Sequence, residues 1–298
     1  MGKDLRQIEG ELKVKIYITS EGSNLLNKVR SKIVRERKVI LDEKEILIPG
    51  CRIYLVKNET IDGFVTKIDD EYCICVHSGV IEEQKAYLEK MDWKFISNET
   101  QRVEYINDII EYGFYFFVFH EYAHVYCGHV DACLGDSKDK RAQECEADMF
   151  AMDYLVEYIT SIQPIEILMA ELEKLFLAVY FLFENMQKTR WEEWYNDKLL
   201  ENYYCHEKEE KREHPLSAQR MLYLYEMINV GVITDKIQLL PVKKNVIEKL
   251  KVLKGLEESE IPRRDNDYKI AKDSVQKLKE DVKCIREKIS RMTHASEI

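Results

Sequence analysis

The stretch His120-Glu121-Tyr122-Ala123-His124 decides how the chain is read. Two histidines four residues apart project from one face of a helix, where both can reach a single metal ion. Glu121 lies about 100° round the helix from His120, close enough to act as a general base on a water held at that metal. The string is short, and average composition produces H-E-x-x-H by chance in roughly one chain in a hundred of this length. Its surroundings decide between a zinc hydrolase and a coincidence.

A catalytic zinc site takes three protein ligands and leaves a fourth position open for water. Two segments offer the third ligand. His129 follows Gly128, but the extended pattern H-E-x-x-H-x-x-G-x-x-H needs glycine three and histidine six residues beyond the second His. Here the offsets are four and five, so that pattern fails. The better segment is Glu144-Cys145-Glu146-Ala147-Asp148, which begins twenty residues after His124 in a strongly helical stretch. Its E-x-x-x-D spacing puts Glu144 and Asp148 one turn apart on one face. Glu144 is then the third ligand, and Asp148 accepts a hydrogen bond from the far nitrogen of a ligand histidine. Glu146 falls about 200° round the helix from Glu144 and is expected to face elsewhere. Two histidines and a glutamate buried together without a metal would be costly polar groups on an apolar helix. Cys127, one turn beyond His124, would suit a closed structural site, but Glu121 would then have no task.

The rest of the chain is compatible with an enzyme core. Its 298 residues suffice for one large domain or two modest ones. Only 5 Pro and 11 Gly argue for a helix-rich fold with short connections. A net charge of −10 argues against a nucleic-acid partner, because phosphate binding wants a basic face. The eight cysteines have no disulfide-framework spacing, and the N-terminus is charged from its third residue and lacks an apolar leader. Reduced thiols in a cytoplasm are the expectation. The apolar runs at Gly113–Phe119 and Leu175–Phe183 are far shorter than the ~20 residues a bilayer needs, so no membrane span is expected.

Residues 11–80 alternate in a strand-like way, and Asp69-Asp70 reads as the turn of a hairpin joining 63–68 to 72–77. A small, mostly antiparallel sheet follows, with Cys73 and Cys75 expected on opposite faces of their strand. From residue 82 the period turns helical, with helices expected at 82–92, 101–127, 138–160, 164–189, 191–205, 215–229, 243–254 and 267–293. Gly128, Gly231 and Gly255 stand as C-terminal caps, and Pro215 suits a first helical position. In the last helix Ala271, Val275, Leu278, Val282, Ile285, Ile289 and Met292 keep a heptad seam. The seam serves either a helix folded back on the domain or a coiled-coil dimer or partner-docking arm. The fold class is α+β. Residues 1–95 form a β-rich part of the catalytic domain, 96–255 a helical zinc-peptidase core, and 256–298 a linker and amphipathic C-terminal helix.

The string FHEYAHVYCGHVDA at 119–132, ECEADMFAMDYL at 144–155 and His214-Pro215-Leu216-Ser217-Ala218-Gln219-Arg220 resemble the gluzincin metallopeptidases. Within them the chain is most similar to the Lit-type phage-exclusion peptidases, and more distantly to the HtpX and ImmA/IrrE groups. The resemblance is strong over residues 114–160 and 214–220. It implies a minimal gluzincin and a cytoplasmic zinc endopeptidase. His120, His124 and Glu144 would hold Zn2+, Glu121 would be the general base, and Asp148 would lie behind a ligand. His214 is the candidate for stabilising the oxyanion, with Tyr126 as an alternative; the plainer role is helix N-terminal packing for His214, with Arg220 as a structural salt-bridge partner. The strand Tyr72–His77 resembles the edge strand that such enzymes lay beside a substrate, and His77 reads as an exposed strand residue. Lit-type enzymes cleave elongation factor Tu, which the resemblance implies as substrate. The alternatives are an ImmA/IrrE-like peptidase acting on a repressor, disfavoured by the lack of a basic patch, and a non-catalytic zinc-stabilised binding protein.

Overall fold

The computed structural model describes residues 5–17, 19, 22–28, 38–41, 44–47, 51–132, 134–191, 220, 223–224, 239–254 and 265–295. A helix α1 (Leu5–Leu12) and a short helix α2 (22–28) precede an antiparallel pair, β1 (Lys38–Leu41) and β2 (Lys44–Leu47). Then come β3 (Cys51–Val56), β4 (Gly63–Ile68) and β5 (Glu71–His77). The helices that follow are α3 (Gly79–Glu89), α4 (Glu99–Tyr126), α5 (His129–Ala132), α6 (Ser137–Ile162) and α7 (Ile165–Trp191), then α8 (Leu239–Lys254) and α9 (Asp265–Ala295). This is the α+β class expected.

The hairpin is present. Phe64 pairs with Cys75 and Ile68 with Glu71 across it. Asp69 and Asp70 turn it with φ of 48° and 63°, the left-handed values that a two-residue type I′ turn needs. Expectations about β5 are corrected. The three-stranded sheet is mixed, with order β3-β5-β4 and β3 parallel to β5. The strand Tyr72–His77 is therefore central and cannot be a free edge; among the described residues the edges are β3, bridged by Ile16 at Val56, and β4. Composition explains this: Tyr72 to Val76 are all buried, and a strand covered on both faces belongs in the middle. Cys73 and Cys75 also share one face, packed with Ile8, Tyr54 and Val56, because residues two apart in a strand point the same way. His77 is half-buried, with Nδ1 2.7 Å from Thr60 Oγ1.

Helix α4 runs through the centre of the molecule. Asn98 caps it by accepting from Gln101 N–H. It ends where Gly128 takes φ of +74°, the left-handed conformation that closes a helix. Every residue from Gly113 to Ala123 is buried. Helix α6, helix α7, helix α3 and the sheet surround it, so an all-round apolar run is what this position needs. On α9, Leu278, Val282 and Ile285 are buried against α6, which makes the folded-back arrangement the observed one. Lys138–Asp281 and Lys288–Asp139 ion pairs flank that contact. No helix among the described residues is long and apolar enough to cross a membrane. The expected helix at 191–205, most of that at 215–229, His214, Pro215, Gly231, Gly255 and most of the polar stretch before α9 lie outside the described residues.

Candidate functional site

Among the described residues, helices α4 and α6 make the most extensive helix–helix contact, and the site forms where they meet β4. Asp136 caps α6 by accepting from Lys138 N–H, which sets the start of the helix and hence the direction of its carboxylates. His120 Nε2 and His124 Nε2 lie 3.2 Å apart on α4. Glu144 on α6 places one oxygen 3.4 Å from His120 Nε2 and the other 3.6 Å from His124 Nε2. The three residues read from the sequence as ligands thus converge on one point. All their donor atoms lie within 4.8 Å of one another, an arrangement compatible with a metal ion.

Asp148 is fully buried, and its Oδ1 lies 2.9 Å from His120 Nδ1, the nitrogen on the far side of the ring. Arg220 Nε and Nη2 donate to both oxygens of Asp148 at 2.6 Å, with the guanidinium lying 4.4 Å over the Phe183 ring. The sequence assigns Arg220 no more than a structural salt bridge. Its partner turns out to be the aspartate behind the first histidine. This pairing, outweighing burial, keeps the guanidinium firmly protonated.

The environment pulls the ionisable groups apart. Burial alone would lower the His120 pKa, but Asp148 and Glu144 overcome it and push it up to about 10. His124, which lacks a direct aspartate partner, is driven well below the ordinary value by burial. Burial raises Glu121 to about 7, helped by the nearby Glu144 and Asp62 and opposed by His120. A carboxyl with a pKa near neutrality can both take up and give back a proton under working conditions.

An open cleft of about 240 Å³ reaches these groups. Asp62 to Val65 of the β4 edge form one wall, and Phe116, Phe117, Phe183 and Met186 form the apolar base. At about 30 Å³ per water molecule, that is room for several waters or part of an extended chain. Gly63 is fixed by close approach. A Cβ there would meet Phe117 Cε1 at 2.6 Å, the Cys75 carbonyl at 2.9 Å and Glu121 Oε1 at 3.4 Å. Tyr126 packs at a tilt against Phe150, with ring centroids 4.7 Å apart and planes at 39°, and is not among the residues lining the cleft.

Three further residues join the site from behind. His129 Nδ1 lies 3.0 Å from His124 Nδ1, and His129 Nε2 lies 2.9 Å from Glu146 Oε2. The other oxygen of Glu146 accepts from Arg286 Nε on α9. The sequence leaves His129 out of the ligand set and turns Glu146 away from Glu144. It gave no sign that these two meet. The short helix α5 folds His129 back, and Arg286 lies 140 residues from its partner.

A family model described as Peptidase U49 matches residues 82–234. No curated protein and no solved structure matches. The matched span carries both site helices and Arg220 and covers just over half of the chain. The chain belongs to the Peptidase U49 family and is a peptidase.

Proposed function

We propose that this peptidase is a zinc-dependent endopeptidase of the gluzincin type, with His120, His124 and Glu144 as ligands and Glu121 as general base. One observation carries the reading. Tetrahedral zinc at ~2.0–2.1 Å from N and O ligands requires those ligands to be roughly 3.3–3.4 Å apart. The separations of 3.2, 3.4 and 3.6 Å match that tetrahedral edge. A zinc ion held there supplies Lewis acidity to a water molecule and to the scissile carbonyl.

The remaining steps belong to the chain. Asp148 holds the His120 ring with its Nε2 toward the ligand set, and Arg220 holds Asp148. Glu121 lines the cleft, takes a proton from the attacking water and passes it to the leaving amine. The free edge of β4 pairs with an extended substrate through main-chain hydrogen bonds, a task now moved from Tyr72–His77 to Gly63–Val65. His214, outside the described residues, retains its proposed role at the oxyanion.

The similarity to Lit-type peptidases carries the substrate proposal: elongation factor Tu, cleaved in the cytoplasm during phage exclusion. The test compares native chain with Glu121→Gln, by zinc content and by mapping new protein N-termini in expressing cells. The expected result is one zinc per chain in both proteins and a new N-terminus within elongation factor Tu only with native chain. Equal cleavage by Glu121→Gln removes Glu121 as the base. A zinc-bearing native chain that cleaves nothing supports the binding-protein alternative.

A further inference from the structure

We propose that His129, Glu146 and Arg286 are positioning residues that hold the second metal ligand, His124, so that the C-terminal helix takes part in building the metal centre. The inference rests on the metal-site reading above and concerns residues outside the ligand set.

The hydrogen-bond chain has only one consistent polarity. His124 turns Nε2 toward His120 and Glu144, so its proton as a neutral ligand sits on Nδ1. That Nδ1–H donates to His129 Nδ1 at 3.0 Å, since a contact between two ring nitrogens holds a single proton. His129 then carries its own proton on Nε2 and donates it to Glu146 Oε2 at 2.9 Å. Glu146 Oε1 accepts from Arg286. A carboxylate cannot donate, so it ends the chain and fixes both tautomers. The His129 and Glu146 side chains are only 2% and 5% exposed, which keeps water from substituting for either.

The two histidines are thus served differently. His120 meets Asp148 directly, whereas His124 reaches its carboxylate through a second imidazole. Helix α6 supplies the three carboxylates grouped around the two ligand histidines: Glu144 in the ligand set, Asp148 behind His120, and Glu146 at the end of the His124 chain. The left-handed Gly128 folds His129 back onto His124, and a Cβ at Gly128 would lie 3.2 Å from Ile289 of α9. The C-terminal helix therefore touches this outer chain at two places.

Cys127, His129 and Glu146 also place donor atoms within 4.8 Å of one another, which raises the rival of a second metal ion. Three observations favour hydrogen bonds instead. Both nitrogens of His129 are engaged. The 2.9 Å contact is hydrogen-bond length, short of the ~3.3 Å edge between ligands of one tetrahedral ion. A guanidinium, which repels a cation, occupies the other oxygen of Glu146.

The test uses metal-stripped full-length chain, titrated with Zn2+ against a chromophoric chelator, and the visible spectrum of the Co2+ form. Native chain should bind one ion. His129→Leu and Glu146→Gln should bind it about 10–100-fold more weakly, with displaced cobalt bands. Arg286→Met should weaken binding toward the lower end, about tenfold, and Arg286→Lys should restore it. Cys127→Ser should leave affinity and stoichiometry unchanged. If His129→Leu does not fold, Glu146→Gln keeps the volume and one acceptor oxygen and carries the test alone. Native affinity and an unshifted cobalt spectrum in these variants overturn the inference while leaving the metal centre standing. Two ions per native chain, one lost in Cys127→Ser, overturn it in favour of a second metal site. A native chain that binds no ion overturns the metal-centre reading and this inference with it.

Discussion

Replacing Asp148 with Asn should damage stability and metal binding together, and the structure sets the size of both effects. Asp148 is fully buried, takes two 2.6 Å bonds from Arg220 and lies 2.9 Å from His120 Nδ1. The variant leaves the Arg220 guanidinium buried with half its counter-charge gone. Breaking a buried pair from one side costs about 3–5 kcal/mol. Glu144, 3.7 Å from Arg220, takes up part of that charge, so the lower end, about 3 kcal/mol, is expected. For a chain of this size that corresponds to a fall of about 5 °C in Tm. An asparagine amide also holds His120 less firmly, and zinc affinity should fall about 10–100-fold. Urea unfolding of metal-stripped protein reads the first effect, and chelator competition reads the second. In Asp148→Asn/Arg220→Met neither charge remains, so its stability loss should fall short of the summed single losses by about 2 kcal/mol or more. A loss below about 1 kcal/mol for Asp148→Asn with native zinc affinity would refute the reasoning, because it would mean that water or another group already satisfies Arg220 and His120.

Gly63→Ala should lower stability by about 1–3 kcal/mol and abolish cleavage, since its Cβ meets the Phe117 ring and the Cys75 carbonyl beside Glu121; wild-type thermal stability and activity would contradict the close approach. Burial raises Asp153 to about 6, above its ordinary 3.8, so its penalty is absent below pH 3.8, grows with pH and is complete above about pH 6. Asp153→Asn should therefore stabilise the protein by about 1–2 kcal/mol at pH 7, after allowance for partial exposure, and by nothing near pH 3.5, as measured by denaturant unfolding across that range. Ile285→Ala, at a site 1% exposed, should cost about 2–4 kcal/mol. Its melting temperature should not depend on protein concentration; a temperature that rises with concentration would place the seam between chains.

Local pattern made the inner site legible. His120, Glu121 and His124 share one helical turn, and Glu144 and Asp148 share another, so each group needed only helical period to be found. The hairpin was legible for the same reason, because Asp69-Asp70 supplies the left-handed turn. Strand order was not. Whether β5 lies at the centre or at an edge depends on burial of both its faces, which the apolar run Tyr72–Val76 signals only weakly among the alternating segments around it. The outer residues were hidden by distance along the chain. Asp148 meets Arg220 across 72 residues and Glu146 meets Arg286 across 140, with no period linking either pair. Helical period turns Glu146 from Glu144, but a residue facing away from Glu144 can still meet His129, which lies against His124.

X-ray absorption at the zinc edge of the metal-loaded chain tests the central claim most directly. Two imidazoles and a carboxylate from His120, His124 and Glu144 predict nitrogen and oxygen scatterers at about 2.0–2.1 Å with no sulfur near about 2.3 Å. A sulfur shell, or zinc held as tightly after Glu144→Ala, would contradict this ligand set.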